Sequence, residues 1–163
     1  MRTHGVIGVM TLYRERLWPS AWIYISGLLV IPALALVFLR INLAVGILLG
    51  AVIYVAYIAI LMWSAPIIEI TDRLLTVGGA RIPVALTGRV DVNDTRDAAR
   101  LAAGTRLDAR AWLCLRGWVP TSASVEITDA DDPIPYWLFS TRNPRDVAEA
   151  LERARTTSDR HLP

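Results

Sequence analysis

From Leu17 to Leu39 the chain reads LWPSAWIYISGLLVIPALALVFL, without one charged side chain. A helix needs about 20 apolar residues to cross ~30 Å of hydrocarbon, and this block supplies them. Arg40 interrupts, and a second charge-free block runs from Ile41 to Ile68. Its stretch Leu43 to Trp63 is long enough to span again, and Pro66 marks where that helix should stop. Arg40-Ile41-Asn42 is too short for anything but a tight connection. The pair is therefore expected to form a transmembrane helical hairpin with both ends on one side. Two consecutive blocks of this length argue for spanning rather than for buried core helices.

The side follows from basic residues in the short flanks. Arg2, Arg14 and Arg16 precede the first span, Arg73 and Arg81 follow the second, and the tip has only Arg40. That bias predicts both termini in the cytoplasm and the chain in the plasma membrane. Trp18, Trp22 and Tyr24 open the first span and Trp63 closes the second, a set of amphipathic rings suited to one membrane interface. Ala33-Leu34-Ala35 resembles a signal-peptide cleavage site, but apolar residues continue through Val37, Phe38 and Leu39, so an uncleaved span is expected. Neither span contains Asp, Glu, Lys or His, which leaves an ion or proton pathway without a carrier.

Composition agrees. Of the 163 residues 54% are hydrophobic, with a mean hydropathy of +0.41, above what a soluble domain of this size usually reaches. All 17 basic residues are arginine and the net charge is only +2. From Arg73 to Arg160 the arginines are scattered among nearly as many acids, the opposite of a nucleic-acid footprint. One cysteine excludes an internal disulfide. Cys114 sits in the strand-like run Trp112-Leu113-Cys114-Leu115, and the only histidines, His4 and His161, lie near opposite ends of the sequence. No metal site, cofactor or catalytic residue is expected from such a set.

After Ile67 the period shortens to strands with turn signals. Ile67 to Thr71 and Leu74 to Val77 read as strands around a turn at Asp72-Arg73, and Gly78-Gly79 turns the chain into Arg81 to Val84. Alternation returns at Val90 to Val92, Arg110 to Leu115, Ser124 to Thr128 and Tyr136 to Phe139. Asp94 to Ala103 reads as a short helix or an ordered loop. Asn143 is a good N-cap, Pro144 suits the first helical position, and Asp146 and Glu149 favour the positive end. Val147, Ala148, Leu151 and Ala154 then share one face. Six or seven strands closed by a C-terminal helix suggest a pleckstrin-homology-like (PH-like) barrel or sheet. The fold class is thus a membrane α-hairpin followed by a small α+β domain.

Boundaries follow: residues 1–16 as a cytoplasmic N-terminal segment, 17–65 as the hairpin (spans 17–39 and 43–65), 66–155 as the β-rich domain, and 156–163 as a flexible tail. Tyr13-Arg14-Glu15-Arg16-Leu17-Trp18, Val77-Gly78-Gly79-Ala80-Arg81-Ile82-Pro83 and the run from Pro135 to Pro144 (PYWLFSTRNP) carry a resemblance to a known family. The chain resembles an actinobacterial family of two-pass membrane proteins of unknown function, over roughly residues 11 to 154. The resemblance implies a membrane protein and supplies no activity.

Two groups of residues stand out as sites. Gly46 and Gly50 form a small-xxx-small pair, and Tyr54 and Tyr57 continue the same stripe at helical spacing. This stripe is expected to pack against the first span or to serve as the face for a protein partner or a second copy. Pro32 should bend the first span and free the carbonyl of Leu28. Arg142 and Arg145 flank the start of the last helix, where free amides attract anions and a phosphate or lipid headgroup could sit, although salt bridges to Asp146 or Glu149 are the preferred account of them. Asp129 to Asp132 before Pro133 fails the calcium-loop pattern, with Ile134 and Ser140 where Gly and Glu are needed, and reads as an acidic turn. Gly78-Gly79-Ala80-Arg81 lacks the lysine and following helix of a phosphate loop. The expected function is a non-enzymatic membrane-anchored interaction module, or an accessory subunit of a membrane complex, with lipid and a protein as partners. The alternative is an enzyme that acts on a membrane-bound substrate through Arg and Asp residues of the second half.

Overall fold

The computed structural model describes residues 10–159, so positions 1–9 of the N-terminal segment and 160–163 of the tail lie outside the described residues. The chain forms two units: Trp18–Ala65, and the remainder up to Leu17 and from Pro66 onward.

The Trp18–Ala65 unit is helical: α1 (Ala21–Leu28), α2 (Val30–Phe38) and α3 (Leu43–Trp63). Helix α1 gives way to α2 at Leu29, one turn before Pro32. Proline has no N–H to offer the Leu28 carbonyl, and the Leu29 amide turns back to Ser26 O at 3.3 Å. Asn42 caps α3, its Oδ1 accepting from Ala44 N (3.0 Å) and Val45 N (3.3 Å). Two helical stretches, Ala21–Phe38 and Leu43–Trp63, are long and apolar enough to cross a membrane. No residue of the first window and 11% of the second are buried within the structure. A core helix of a soluble protein would be mostly covered; these are bare on most sides.

The other unit holds two four-stranded sheets. The first runs β1 (Thr11–Arg16), β2 (Ile67–Thr71), β3 (Leu74–Val77), β4 (Ala80–Pro83), antiparallel throughout. Gly78 makes the β3–β4 turn with φ +58°, a conformation that costs glycine nothing. The second sheet comprises β5 (Thr87–Asn93), β6 (Trp112–Cys114), β7 (Ser122–Ile127) and β8 (Tyr136–Ser140), in the order β5-β7-β8-β6, with β6 parallel to β8. Helix α4 (Arg96–Ala103) follows β5, and α5 (Pro144–Asp159) packs on β1, β2, β5 and β7, touching both sheets. The core between them includes Ile68, Ile70, Leu75, Val77, Val125 and Phe139, all fully enclosed, with Val147, Ala150, Leu151 and Ala154 of α5.

Three features differ from the sequence reading. Thr11–Arg16 is an edge strand paired with β2, not a separate segment. With no fully buried residue and three charges in six positions, it gives no hydrophobic alternation to read. Leu17 donates to Pro66 O at 3.0 Å, so the helical unit is an insertion between two paired strands. Second, α5 continues to Asp159 because Thr156 and Thr157 bond back to Glu152 and Arg153 carbonyls and Ser158 Oγ donates to Asp72 O. Third, Ala150 rather than Ala148 completes the buried face of α5, which sits at i, i+3, i+4 and i+7.

Candidate functional site

In the helical unit, Gly46 and Gly50 are the two buried residues of α3. A Cβ on Gly46 would lie 2.8 Å from Leu34 O and 2.9 Å from Phe38 Cβ; one on Gly50 would lie 2.8 Å from Ile31 Cα. The stripe therefore lies against the chain's own α2. Tyr54 Oη donates to Tyr24 O at 3.2 Å and Tyr57 Oη to Ile23 O at 3.5 Å, both on α1. Gly27, which sequence reading passed over, is the seat for the Tyr57 ring: a Cβ there would meet Tyr57 Cε1 at 2.5 Å. The stripe thus supplies the hairpin with a close backbone contact at one end and two hydroxyl bonds at the other.

At the start of α5 the arginines have partners from distant sequence. Glu15 Oε1 accepts from Arg142 N at 3.0 Å, with the Arg142 guanidinium 3.9 Å away, and Arg145 pairs with Asp94. Glu15 Oε2 also accepts from Thr141 Oγ1 (2.6 Å) and Tyr13 Oη (2.9 Å). Thr141 is fully buried and its Oγ1 accepts from Asn143 N, while Asn143 O accepts the first helical bond, from Val147 N. A carboxylate of the chain itself thus occupies the position where an anion would meet Arg142. Burial pushes the Tyr13 hydroxyl up to about 12, against the lowering pull of Thr141 and with a further upward push from Glu15.

The second sheet carries a groove of about 670 Å³ on the face turned away from the core. Alternation along β5 puts Arg89, Asp91 and Asn93 on its floor, with Ser124 and Glu126 of β7 and Tyr136 of β8 beside them. Ala98 and Ala102, one turn apart on α4, form a wall, and Arg106 closes one side. The β5–β7 register shifts between Thr87 and Val90, which releases Arg89 N to donate to Glu126 Oε2 at 3.1 Å. Gly88 makes room, since a Cβ there would lie 2.6 Å from that oxygen. Asp91 is held by the Arg89 guanidinium at 2.8 Å, and Asn93 Nδ2 donates to Ser124 Oγ at 3.4 Å. Tyr136 Oη pins the segment after α4, accepting from Asp108 N (2.8 Å) and donating to Arg106 O (3.4 Å). The sequence showed Val90-Asp91-Val92 as alternating but gave no sign that α4 would roof this face.

Among the described residues, no three of His, Cys, Asp and Glu cluster as metal ligands. Cys114 is buried in the core, and desolvation raises its thiol despite the nearby Arg116. The acids of 129–132 brace their own turn: Asp129 Oδ1 accepts from Asp131 N and Asp132 Oδ1 from Ile134 N.

A family model described as "Protein of unknown function (DUF3093)" matches residues 12–151. The chain belongs to this family. The DUF3093 match begins inside β1 and ends at Leu151, a buried residue of α5, so it takes in the inserted helices and both sheets as one pattern. No curated protein and no solved structure matches the chain.

Proposed function

We propose that this DUF3093 chain is a two-pass integral protein of the plasma membrane with both termini in the cytoplasm. Its β unit is a PH-like module that serves as a non-enzymatic interaction surface, or joins a larger membrane complex as an accessory subunit. One observation carries the reading: an apolar helical pair, bare on most sides, is inserted between two strands whose facing ends, Leu17 and Pro66, are bonded to each other. A lipid surrounding accounts for the bare helices, and ends that meet fit a hairpin that enters and leaves one face of a bilayer. The arginines Arg14, Arg16, Arg73 and Arg81 around that junction favour the cytoplasmic side. Two sheets closed by α5 support the PH-like assignment. The groove carboxylates Asp91 and Glu126 are each engaged by Arg89, which favours binding over acid–base catalysis.

The test uses single cysteines in a Cys114→Ser chain, probed with a membrane-impermeant thiol reagent on intact cells. A cysteine at Asn42 should label and one at Ala99 should not; external labelling at Ala99 overturns the topology. Purified full-length protein should leave membrane lipids chemically unchanged, and turnover of a lipid substrate would replace the module reading with the enzymatic one.

A further inference from the structure

Of the polar groups in the groove between α4 and the second sheet, those that carry charge are unequally satisfied. The Asp91 carboxylate has the Arg89 guanidinium and the Glu126 carboxylate has the Arg89 amide. The Arg106 guanidinium has no partner among the described residues; only its backbone is tied, through Leu101 O and the Tyr136 hydroxyl.

We propose that this groove is a binding site for a sugar-sized polyol that carries one anionic group, a phosphate or a carboxylate. The free cation sets the sign: Arg106 offers a planar fork of N–H donors that fits either oxyanion. The floor sets the body. Carboxylate oxygens of Asp91 and Glu126 retain acceptor capacity beyond their arginine contacts, and Asn93 and Ser124 add amide and hydroxyl groups, the mixture that hydroxyl-rich rings bond. A volume of about 670 Å³ is far larger than an inorganic ion and within the range of small-molecule pockets. The small side chains of Ala98 and Ala102 leave that space open. The site goes beyond the module reading and does not depend on where the helices reside.

The experiment is calorimetric titration of the full chain in non-ionic detergent with glucose 6-phosphate, galacturonate and glycerol 1-phosphate. Glucose and inorganic phosphate are the controls. At least one anionic polyol should bind more tightly than both controls. Arg106→Gln should weaken it roughly tenfold or more, since a charge-assisted bond becomes a neutral one. Ala102→Phe should abolish binding by filling the groove without touching the cation. Preference for glycerol 1-phosphate would assign a lipid headgroup as the source, and preference for either sugar a free metabolite; both support the site. Absence of binding by all three polyols, equal binding of inorganic phosphate, or affinity unmoved by both variants would overturn it. Thermal unfolding of each variant at the wild-type temperature establishes that a loss is local.

Discussion

Glu15 gathers three donors from two separate stretches of chain: the Tyr13 and Thr141 hydroxyls and the Arg142 amide. Thr141 has no exposed surface, so its hydroxyl cannot be replaced by water. Thr141→Val keeps the shape and removes a donor to Glu15 and the acceptor for Asn143 N; it should cost about 1–3 kcal/mol in a denaturation series. Tyr13 gives a separate test. Its folded value of about 12 stands above the ordinary 10.0, so between those values the folded chain holds a proton that the unfolded chain has lost. Stability from this group is complete below pH 10 and disappears as pH rises through 12. Tyr13→Phe should flatten that part of the alkaline decline, and an unchanged decline would exclude Tyr13 as its source. Arg142 and Arg145 were legible as the flanks of a helix start, whereas their partners were not. Glu15 is 127 residues from Arg142, and no local pattern announces a bond over that separation.

Between elements, the identity of the neighbouring atom decides the cost of a substitution. A methyl group on Gly50 collides with backbone, the Ile31 Cα, and α2 must move to admit it. On Gly27 it collides with the Tyr57 ring, which has torsions of its own. Gly50→Ala should therefore destabilise the full chain in detergent by about 1–3 kcal/mol, the usual cost of overpacking, and Gly27→Ala by less. Equal costs would mean that α2 is as yielding as a side chain. The Gly46/Gly50 spacing was readable because both glycines lie on one helix at i and i+4. The Gly27–Tyr57 match spans two helices, and the groove needs β5, β7, β8 and α4 in place, so neither has a one-dimensional signature. Most strands were legible from alternation and glycine turns; β1 was not, because a charged edge strand looks like a polar tail.

At the scale of the molecule, the β unit is discontinuous in sequence. A fragment of residues 66–159 lacks β1 and the enclosed Leu17 side chain, 1% exposed, whose burial is worth roughly 1.5–3 kcal/mol. That fragment should be poorly folded, with β2 left as a bare edge. Residues 10–17 joined by a short Gly-Ser linker to residue 66 should restore a monomer with native-like circular dichroism, since Leu17 N and Pro66 O are already 3.0 Å apart. If 66–159 alone proves equally stable, β1 is ornamental. The same interruption bears on how the chain is made. The ribosome delivers β1 early, but its partner β2 follows only after the whole Trp18–Ala65 insert. At about 5–20 residues per second that is a delay of roughly 2–10 s. During it β1 has no strand to pair with, so closure of the first sheet waits on emergence of the helices, and a translational pause within them would prolong the time that β1 spends unpaired.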